Sequence, residues 1–506
     1  MPRPSLLPLI SLIAATVAPN LAAQVHDHAV GAPDRLGTVH FETSCAVAVA
    51  PQFDRAIALL HSFEFAASMR EFEGVLAADS TCAMAWWGIA LARWGNPMVP
   101  NLRPAPALQR GWESVEAARQ VADGATDRER DYIAAVSQLY EDPGKDQRVR
   151  LVAYEEAMAA LAAKHPDDTE ARIFHAISIV GTASPSDKTY SNQLRAGATL
   201  EELFRQNPDH PGLAHYIIHS YDVPALAPRA SAAAERYADI APAAAHALHM
   251  PSHTFTRVGM WDQSIRTNLR SMQVAEQQAS PAEALHAADY AVYAYLQLGQ
   301  DSAAHAIIRR LPELAAKFDP AAVTGAAPGS AGIFALAAMP ARYALERGAW
   351  EEATRLEPAP SAYPYAEAMT WFAKGLGAAR TKDLALAGAA VDSLSAFQAR
   401  LAERKEAYWA EQVAIQQLGA SAWLDLAIGR SEQALERMCE AATREAATEK
   451  SAVSPGPLAP ARELLGDMLL ELGRPDEALT EYRASLEREP NRRRSVEGIS
   501  RIERTP

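Results

Sequence analysis

The sequence predicts an all-α protein built as an array of helical hairpins, and three observations support this fold class. The chain has 506 residues, which exceeds what one compact hydrophobic core usually supports. Apolar residues make up 49% but aromatic residues only 7%, because alanine, the strongest helix former, occurs in almost every segment. Runs of β-branched residues with period-2 alternation are missing from the sequence, so strands have little support.

The first residues have the pattern of a secretory signal. Arg3 precedes an apolar stretch over residues 6–17, and Pro19 and Leu21-Ala22-Ala23 follow it. This pattern predicts a signal peptide over residues 1–23 that is cleaved after Ala23. The apolar stretch is too short to span a bilayer, and no later stretch approaches about 20 apolar residues. We therefore expect an exported protein, periplasmic or secreted, without a membrane span.

The cysteines and the net charge indicate a possible disulfide and the class of partner. In an oxidising compartment Cys45 and Cys82 could form a disulfide that ties residues 24–50, an irregular N-terminal strap, to the first helices. Whether they pair is left open, and Cys439 would then remain as a buried core residue. The formal net charge of −14 argues against a nucleic-acid partner, which needs a basic face. The only basic run, at residues 492–494, is interpreted as cations on a terminal helix.

A repeat is clearest near the C-terminus, over residues 464–491. In a 34-residue unit, small residues, an aromatic residue and a proline occupy positions 8, 15, 20, 24 and 32, which here are Gly466, Gly473, Ala478, Tyr482 and Pro490. This segment resembles a tetratricopeptide repeat. The resemblance implies a right-handed superhelical solenoid of antiparallel helix pairs, in which small residues let the helices touch and the proline ends the second helix.

The same register can be followed upstream. Position 15 is a glycine in several further units, at Gly95, Gly299, Gly348 and Gly429. The resemblance covers most of residues 53–491 in about eleven hairpins, with insertions at 181–190 and 320–332. We divide the chain into an N-terminal array over 51–330, which carries the histidine-lined groove described next, and a C-terminal array over 331–506.

Seven of the fourteen histidines lie between residues 210 and 286, and the register relates them to one another. Positions 2, 5, 9 and 12 of the first helix share one face, since a helix has 3.6 residues per turn. In three successive units these positions hold His215, His219 and Asp222, then His246, His249 and His253, then His286 and Asp289. The resemblance implies that this face lines the concave groove of the solenoid, where ligands bind.

Such an array suits a transition metal. Histidines four residues apart lie on one helix face within about 5–6 Å, and His215/His219 and His249/His253 are two such pairs. We predict one or two ions, Zn, Cu or Fe, held by imidazoles and an occasional carboxylate. The candidate ligands are His215, His219, His246, His249, His253, His286, Asp222 and Asp289.

Two alternatives stay open beside the metal. The groove could bind a protein or peptide partner without metal, or the histidines could form a structural polar network. Single histidines such as His61, His165 and His305 are expected to be ordinary core or surface residues. No catalytic residue is assigned, because the common nucleotide-binding, zinc-protease and serine-hydrolase motifs are missing from the sequence.

The segment around the HMPSH sequence, residues 249–253, carries two further expectations. Together with residues 212–222 it resembles a group of exported bacterial tetratricopeptide-repeat proteins, which implies no particular reaction. Pro251 lies inside the predicted first helix of its unit. Because proline has no N–H for the helical hydrogen bond, it can kink the helix between the two histidines of the pair.

Overall fold

The computed structural model describes residue 1 and residues 34–98, 103–184, 186–322 and 324–504. The predicted signal peptide, apart from residue 1, and residues 24–33 of the strap lie outside the described residues. Within the described ranges the chain is helical and contains no strand. The predicted all-α fold class is confirmed.

The α-helices follow one another with short connections along the whole described chain. In chain order they are Ala50–His61 (α1), Phe65–Ala78 (α2), Ala83–Trp94 (α3), Ala105–Gln120 (α4), Asp127–Ser137 (α5), Gln147–Lys164 (α6), Thr169–Gly181 (α7), Ser191–Gln206 (α8), Pro211–Ser220 (α9), Ser231–Ile240 (α10), Ala245–His249 (α11), Pro251–Arg257 (α12), Trp261–Gln277 (α13), Pro281–Gln297 (α14), Asp301–Ile308 (α15), Leu311–Ala316 (α16), Gly329–Glu346 (α17), Trp350–Thr354 (α18), Pro364–Thr381 (α19), Leu384–Glu403 (α20), Ala407–Ala427 (α21), Ser431–Ala447 (α22), Ala461–Glu471 (α23), Pro475–Arg488 (α24) and Arg493–Glu503 (α25). Short 3-10 helices occur at Val47–Val49, Ala122–Gly124 and Ala227–Ala230.

These helices pack mainly against their neighbours in the chain, as expected for a solenoid. Over the described ranges they form eleven hairpins, and α25 follows the last one. The α11 and α12 helices together make the first helix of the sixth hairpin, and α15 and α16 make the second helix of the seventh. The division of the array at residue 330 stays a prediction.

The glycines at position 15 explain how the repeat turns from one helix to the next. Gly95, Gly299, Gly348, Gly429 and Gly473 all have a positive φ, between 63° and 84°. This left-handed conformation is strained for residues with a Cβ, so glycine is favoured where a short turn reverses the chain. Gly181, which the register would place at the same position, ends α7 and does not have a positive φ.

The strap crosses the first helices and is held at both of its described ends. The backbone N–H of Thr38 donates to the carbonyl of Asp209 at 2.9 Å, and the Phe41 ring is buried against Trp87 and Tyr132. Cys45 and Cys82 form a disulfide. The sequence left open whether these two cysteines pair, and the structure contains the bond. The expectation for Cys439 is wrong: this side chain is a free, exposed thiol on α22, because it lies on the solvent face of that helix.

The end of the array folds back onto its middle. Trp261 Nε1 donates to the carbonyl of Asn491 at 3.0 Å, and the fully buried guanidinium of Arg492 binds three groups of other repeats. It donates to Tyr293 Oη at 2.7 Å, to Glu346 at 2.8 Å and to Glu463 at 2.7 Å and 2.9 Å. Arg492, the first arginine of the basic run, thus joins the end of the array to its middle repeats. No helix in the described part of the chain is long and apolar enough to cross a membrane.

We expect the double variant Cys45→Ser/Cys82→Ser to unfold at lower urea concentration, with a free energy of unfolding about 3 kcal/mol smaller. The disulfide closes a loop of 37 residues, so its loss increases the conformational freedom of the unfolded chain. Cys439→Ser is the matched control and should unfold like the parent protein, because Cys439 is exposed and unpaired. Equal midpoints for the double variant and the parent would contradict the role assigned to this bond.

Candidate metal centre

Four helices bring six histidines together in the groove of the array. His215 and His219 lie on α9, His246 and His249 on α11, and His253 on α12. The sixth, His286, lies on α14. Pro251 begins α12 and separates it from α11, since the missing N–H breaks the helical hydrogen-bond ladder at this point. Pro251 thus lies in the first turn of a separate helix, where proline is tolerated, and the kink predicted from the sequence stays a prediction.

The first trio consists of His215, His219 and His246. The ring centroids of His215 and His219 are 4.7 Å apart, and those of His215 and His246 are 5.1 Å apart. One ring nitrogen of each residue lies within 4.8 Å of the corresponding atoms of the other two. Nitrogens around a tetrahedral Zn²⁺ are separated by roughly 3.4 Å, given bonds of about 2.1 Å, so coordination would draw the rings inward from this spacing.

The second trio consists of His249, His253 and His286. One ring nitrogen of each residue again lies within 4.8 Å of those of the other two. His249 and His286 have ring centroids 4.3 Å apart, and the Nε2 atoms of His249 and His253 are 3.1 Å apart. The two trios adjoin. His246 of the first lies 6.2 Å from His249 of the second, measured between ring centroids.

The ring nitrogens that face away from the trios are held by groups of the surrounding helices. His215 Nδ1 donates to the carbonyl of His61 at 2.6 Å, and His246 Nδ1 to Glu283 at 3.2 Å. His253 Nδ1 donates to Asp222 at 2.9 Å. A ring that donates through Nδ1 keeps its lone pair on Nε2, the arrangement typical of histidines that bind metals.

His249 is fixed in the same tautomer by Asn268. The amide nitrogen of Asn268 donates to the carbonyl of Ser264 at 2.7 Å, which leaves Asn268 Oδ1 to accept from His249 Nδ1 at 2.7 Å. The Nε2 atoms of His249 and His253 therefore both carry lone pairs, and they face each other at 3.1 Å. Two acceptors at this distance repel unless a cation lies beside them.

Other inward nitrogens are buried without a partner among the described residues. They are Nε2 of His215, His219 and His246 and Nδ1 of His286. A buried polar atom without a hydrogen bond costs about 1–3 kcal/mol, and native proteins have few of them. Four such atoms on the rings of two adjoining trios call for a common explanation.

Burial also keeps five of the six imidazoles neutral, because it is the main cause that lowers their pKa values. Neighbouring imidazoles lower these pKa values further. The pKa of His253 falls to about 4, although Asp222 raises it, and the pKa values of His215, His219, His249 and His286 lie well below 6.5. At neutral pH these rings are in the form that binds metals.

The two predicted carboxylate ligands are not part of either trio. Asp222 lies behind His253 and also accepts from Arg257 at 3.0 Å and from Lys450 at 3.3 Å. These cations hold its pKa well below the usual value, against the effect of burial. Asp289 is fully buried beside Arg342, with 3.5 Å between Oδ1 and Nε, and burial raises its pKa to about 6. Asp222 thus orients His253 from outside the trio, and the assignment of the two carboxylates as metal ligands stays a prediction.

A third buried group was missed by the sequence analysis. Glu170 accepts from His61 at 2.8 Å and from His210 at 2.9 Å, and the two imidazoles hold its pKa below the usual value although burial opposes this. His61 is thus no ordinary core residue, since its carbonyl also orients His215. The sequence contained no signal for this, because Glu170 and His61 lie 109 residues apart.

The mouth of the groove is covered by the chain itself. We call residues 448–458, which connect α22 to α23, the closing segment. Lys450 from this segment contacts Tyr290 Oη at 3.2 Å, and Tyr290 Oη donates to the carbonyl of Ser454 at 3.0 Å. The Tyr290 ring in turn stacks on His253 at 5.0 Å. No sequence pattern indicated this contact.

Fold and repeat register together define an all-α protein built as an array of helical hairpins, whose repeat resembles the tetratricopeptide repeat. No family model matches the chain, and no curated protein sequence is similar to it. Among solved structures it is similar to the Cut9-Hcn1 hetero-tetramer of the APC/C, with 11% identity, 90% of this chain and 76% of that chain covered and a TM-score of 0.36. Yeast Tom70 is similar with 12% identity, 90% of this chain and 95% of that chain covered and a TM-score of 0.32. An IFIT1 mutant with a capped RNA is similar with 11% identity, 84% of this chain and 90% of that chain covered and a TM-score of 0.36. Likeness at this level carries no information on function.

Proposed function

We propose that the protein binds two transition-metal ions, one at each histidine trio. The observation that carries this proposal is the pair of Nε2 lone pairs of His249 and His253, which face each other at 3.1 Å in a buried site. The unpaired inward nitrogens of the other four rings point to the same conclusion. Ions at both trios would provide the partner that all six rings otherwise lack.

The surroundings of the rings favour a metal over a peptide in the groove. His215 and His249 are fully buried, and His253 is 2% exposed, so a peptide lying across the groove would not reach them. Phe63 packs against His215 with 4.4 Å between ring centroids, and the closing segment covers the second trio through Tyr290. A purely structural network is also disfavoured, because such a network would satisfy its own hydrogen bonds.

The three imidazole nitrogens of each trio restrict the identity of the metal ion. Three neutral imidazoles suit Zn²⁺, Cu²⁺ or Fe²⁺ and do not suit Ca²⁺ or Mg²⁺, which prefer oxygen ligands. Three protein ligands leave a coordination position for water or a substrate, and an ion in such a site lowers the pKa of bound water. The outer partners Asn268, Asp222 and Glu283 would orient the rings and make them better donors.

We also propose that the protein is exported from the cytoplasm. It is supported by the signal-like residues 1–23, by the resemblance of the HMPSH segment to exported proteins, and by the Cys45–Cys82 disulfide, since such bonds persist mainly in oxidising compartments. Expression of the full chain in a Gram-negative host, followed by intact-mass measurement of periplasmic protein, should show cleavage after Ala23. Full-length protein found only in the cytoplasm would argue against export.

We expect protein purified without an affinity tag to contain about two transition-metal ions per chain by elemental analysis. His215→Ala/His219→Ala should lose one ion and His249→Ala/His253→Ala the other, because each change removes two ligands of one trio. Both variants should keep the remaining ion, and removal of metal with a chelator should lower the melting temperature of the parent protein.

His305→Ala is the matched control and should keep both ions, since His305 stacks on Tyr343 far from either trio. Circular dichroism of each variant before the metal measurement shows whether it is folded. A folded parent protein that contains no metal, and whose melting temperature does not rise on addition of Zn²⁺, Cu²⁺ or Fe²⁺, would refute the proposal.

Asn268 provides a finer test of the second trio. Asn268→Ala removes the acceptor of His249 Nδ1, so we expect the affinity of this trio for its ion to fall by about 10–100-fold. Asn268→Asp keeps an acceptor and should retain most of the affinity. Competition with a chromogenic chelator measures both. Equal losses in the two variants, or a loss at the first trio instead, would show that Asn268 does not orient His249.

A further inference from the structure

The six imidazole rings of the two trios form one continuous cluster. The ring centroids of His219 and His253, which belong to different trios, are 6.4 Å apart. Those of His246 and His249, which also belong to different trios, are 6.2 Å apart. Within the first trio, His219 and His246 are separated by 6.4 Å as well. The gap between the trios is therefore no wider than the longest separation inside the first trio, so ions at the two trios would be neighbours.

Four of the rings form a closed set in which each ring has two neighbours. In order around the set, the rings belong to His219, His246, His249 and His253, with neighbouring centroids 5.0–6.4 Å apart. The His215 ring lies beside the first two of them, and the His286 ring lies beside the last two. An ion held with His215 and an ion held with His286 would therefore face each other across this set.

The protein itself supplies no ligand between the two positions. The Nε2 atoms of His219 and His246 are buried without a partner among the described residues, and those of His249 and His253 face each other. Neither trio includes a carboxylate. Three imidazoles leave a coordination position open on each ion, so a ligand shared by both ions must come from solution.

The charges around the rings indicate that this ligand is an anion. The carboxylates in contact with the histidines are Asp222, Glu283 and Glu64, and the cations Arg257 and Lys450 bind Asp222. Burial, together with the neighbouring Glu283, raises the pKa of Glu64 to about 7, so this group is only partly charged at neutral pH. These carboxylates and cations nearly cancel one another, which leaves most of the charge of two divalent ions uncompensated. An uncompensated charge in a buried site is costly, and a bound anion reduces that cost.

Two aromatic side chains restrict the size of the anion. Phe63 contacts all three rings of the first trio, with centroid distances of 4.4–5.8 Å. Tyr290 contacts all three rings of the second trio, at 4.8–5.3 Å. Phe63 has a φ of 58°, a conformation that is strained for a bulky residue and that persists only where the surrounding structure enforces it. Both side chains are buried, so together they exclude a bulky anion.

We propose that the two trios form one binuclear centre, in which a small anion of the class of hydroxide or azide bridges the two metal ions. The inference rests on the proposed function, because the anion is held through the ions. It adds that the two ions share one ligand, whereas two separate sites would each bind a ligand of their own.

The test uses the full-length protein loaded with Cu²⁺ and then titrated with azide. Two Cu²⁺ ions that share a bridging ligand couple their unpaired electrons, so their electron paramagnetic resonance signal is lost. His215→Ala/His219→Ala and His249→Ala/His253→Ala should each hold a single ion with its full signal. With azide added, we expect the parent protein with two ions to give a smaller signal than either variant, and to bind one azide per chain.

Three results would overturn the binuclear centre. They are a parent signal equal to the sum of the signals of the two variants, independent binding of two azide ions, and uptake of only one Cu²⁺ per chain. His305→Ala is the matched control and should behave as the parent protein does, because His305 stacks on Tyr343 instead. A folded parent protein that takes up no metal would refute the proposed function itself, which distinguishes that failure from the failure of the bridge.

Benzoate tests the size limit set by Tyr290. It should not displace azide from the parent protein or from Tyr290→Phe, which keeps the ring over the second trio. It should displace azide from Tyr290→Ala, whose fold and metal content are checked first by circular dichroism and elemental analysis. Displacement from the parent protein would contradict the size limit, and the absence of displacement from all three proteins would show that Tyr290 does not set it.

Discussion

The packing of six imidazoles into one groove is the constraint on which the centre of this structure depends. Burial lowers the pKa of most of these rings and removes water from their inner nitrogens. In four of the rings the outer nitrogen donates to the His61 carbonyl, Asn268 or an acidic side chain. The surrounding helices therefore supply one acceptor for each of these rings, and this need accounts for the buried Glu283 on α14. A half-satisfied polar cluster is costly, and a metal ion at each trio would relieve the cost.

Closure of the superhelix adds a second constraint. Arg492 is buried between Tyr293, Glu346 and Glu463, so repeats far apart in sequence are joined through one guanidinium. Removing one partner of such a network usually costs 3–5 kcal/mol, because a charge is left buried and unpaired. The closing segment covers the second trio through Tyr290, which donates to Ser454 and stacks on His253. An open helical array would expose this groove to a peptide; here the chain covers it.

Much of this arrangement could be predicted from the sequence. The repeat register located Gly299 and Gly473 at turns that need a positive φ, and it placed all six histidines on helix faces that line the groove. The start of a new helix at Pro251 follows from its missing N–H. Asp222 and Asp289 share the faces of the ligands, and the structure adds cations beside them: Asp222 binds Arg257 and Lys450, and Asp289 lies beside Arg342. No local sequence pattern indicated these contacts.

By itself the sequence determined what depends on local spacing: the helices, their turns, the register of the repeat and the common face of His215, His219, His249 and His253. Helical periodicity and the conformational preferences of glycine and proline act within a few residues, so they can be recognised without coordinates. Only the tertiary structure decided which groups meet across the superhelix. Glu170 joins His61 to His210, Asn268 fixes His249, and Lys450 comes to Asp222 from 228 positions away. These contacts range from 19 to 228 residues in separation, and they depend on how helices pack against one another, which leaves no pattern at any single position.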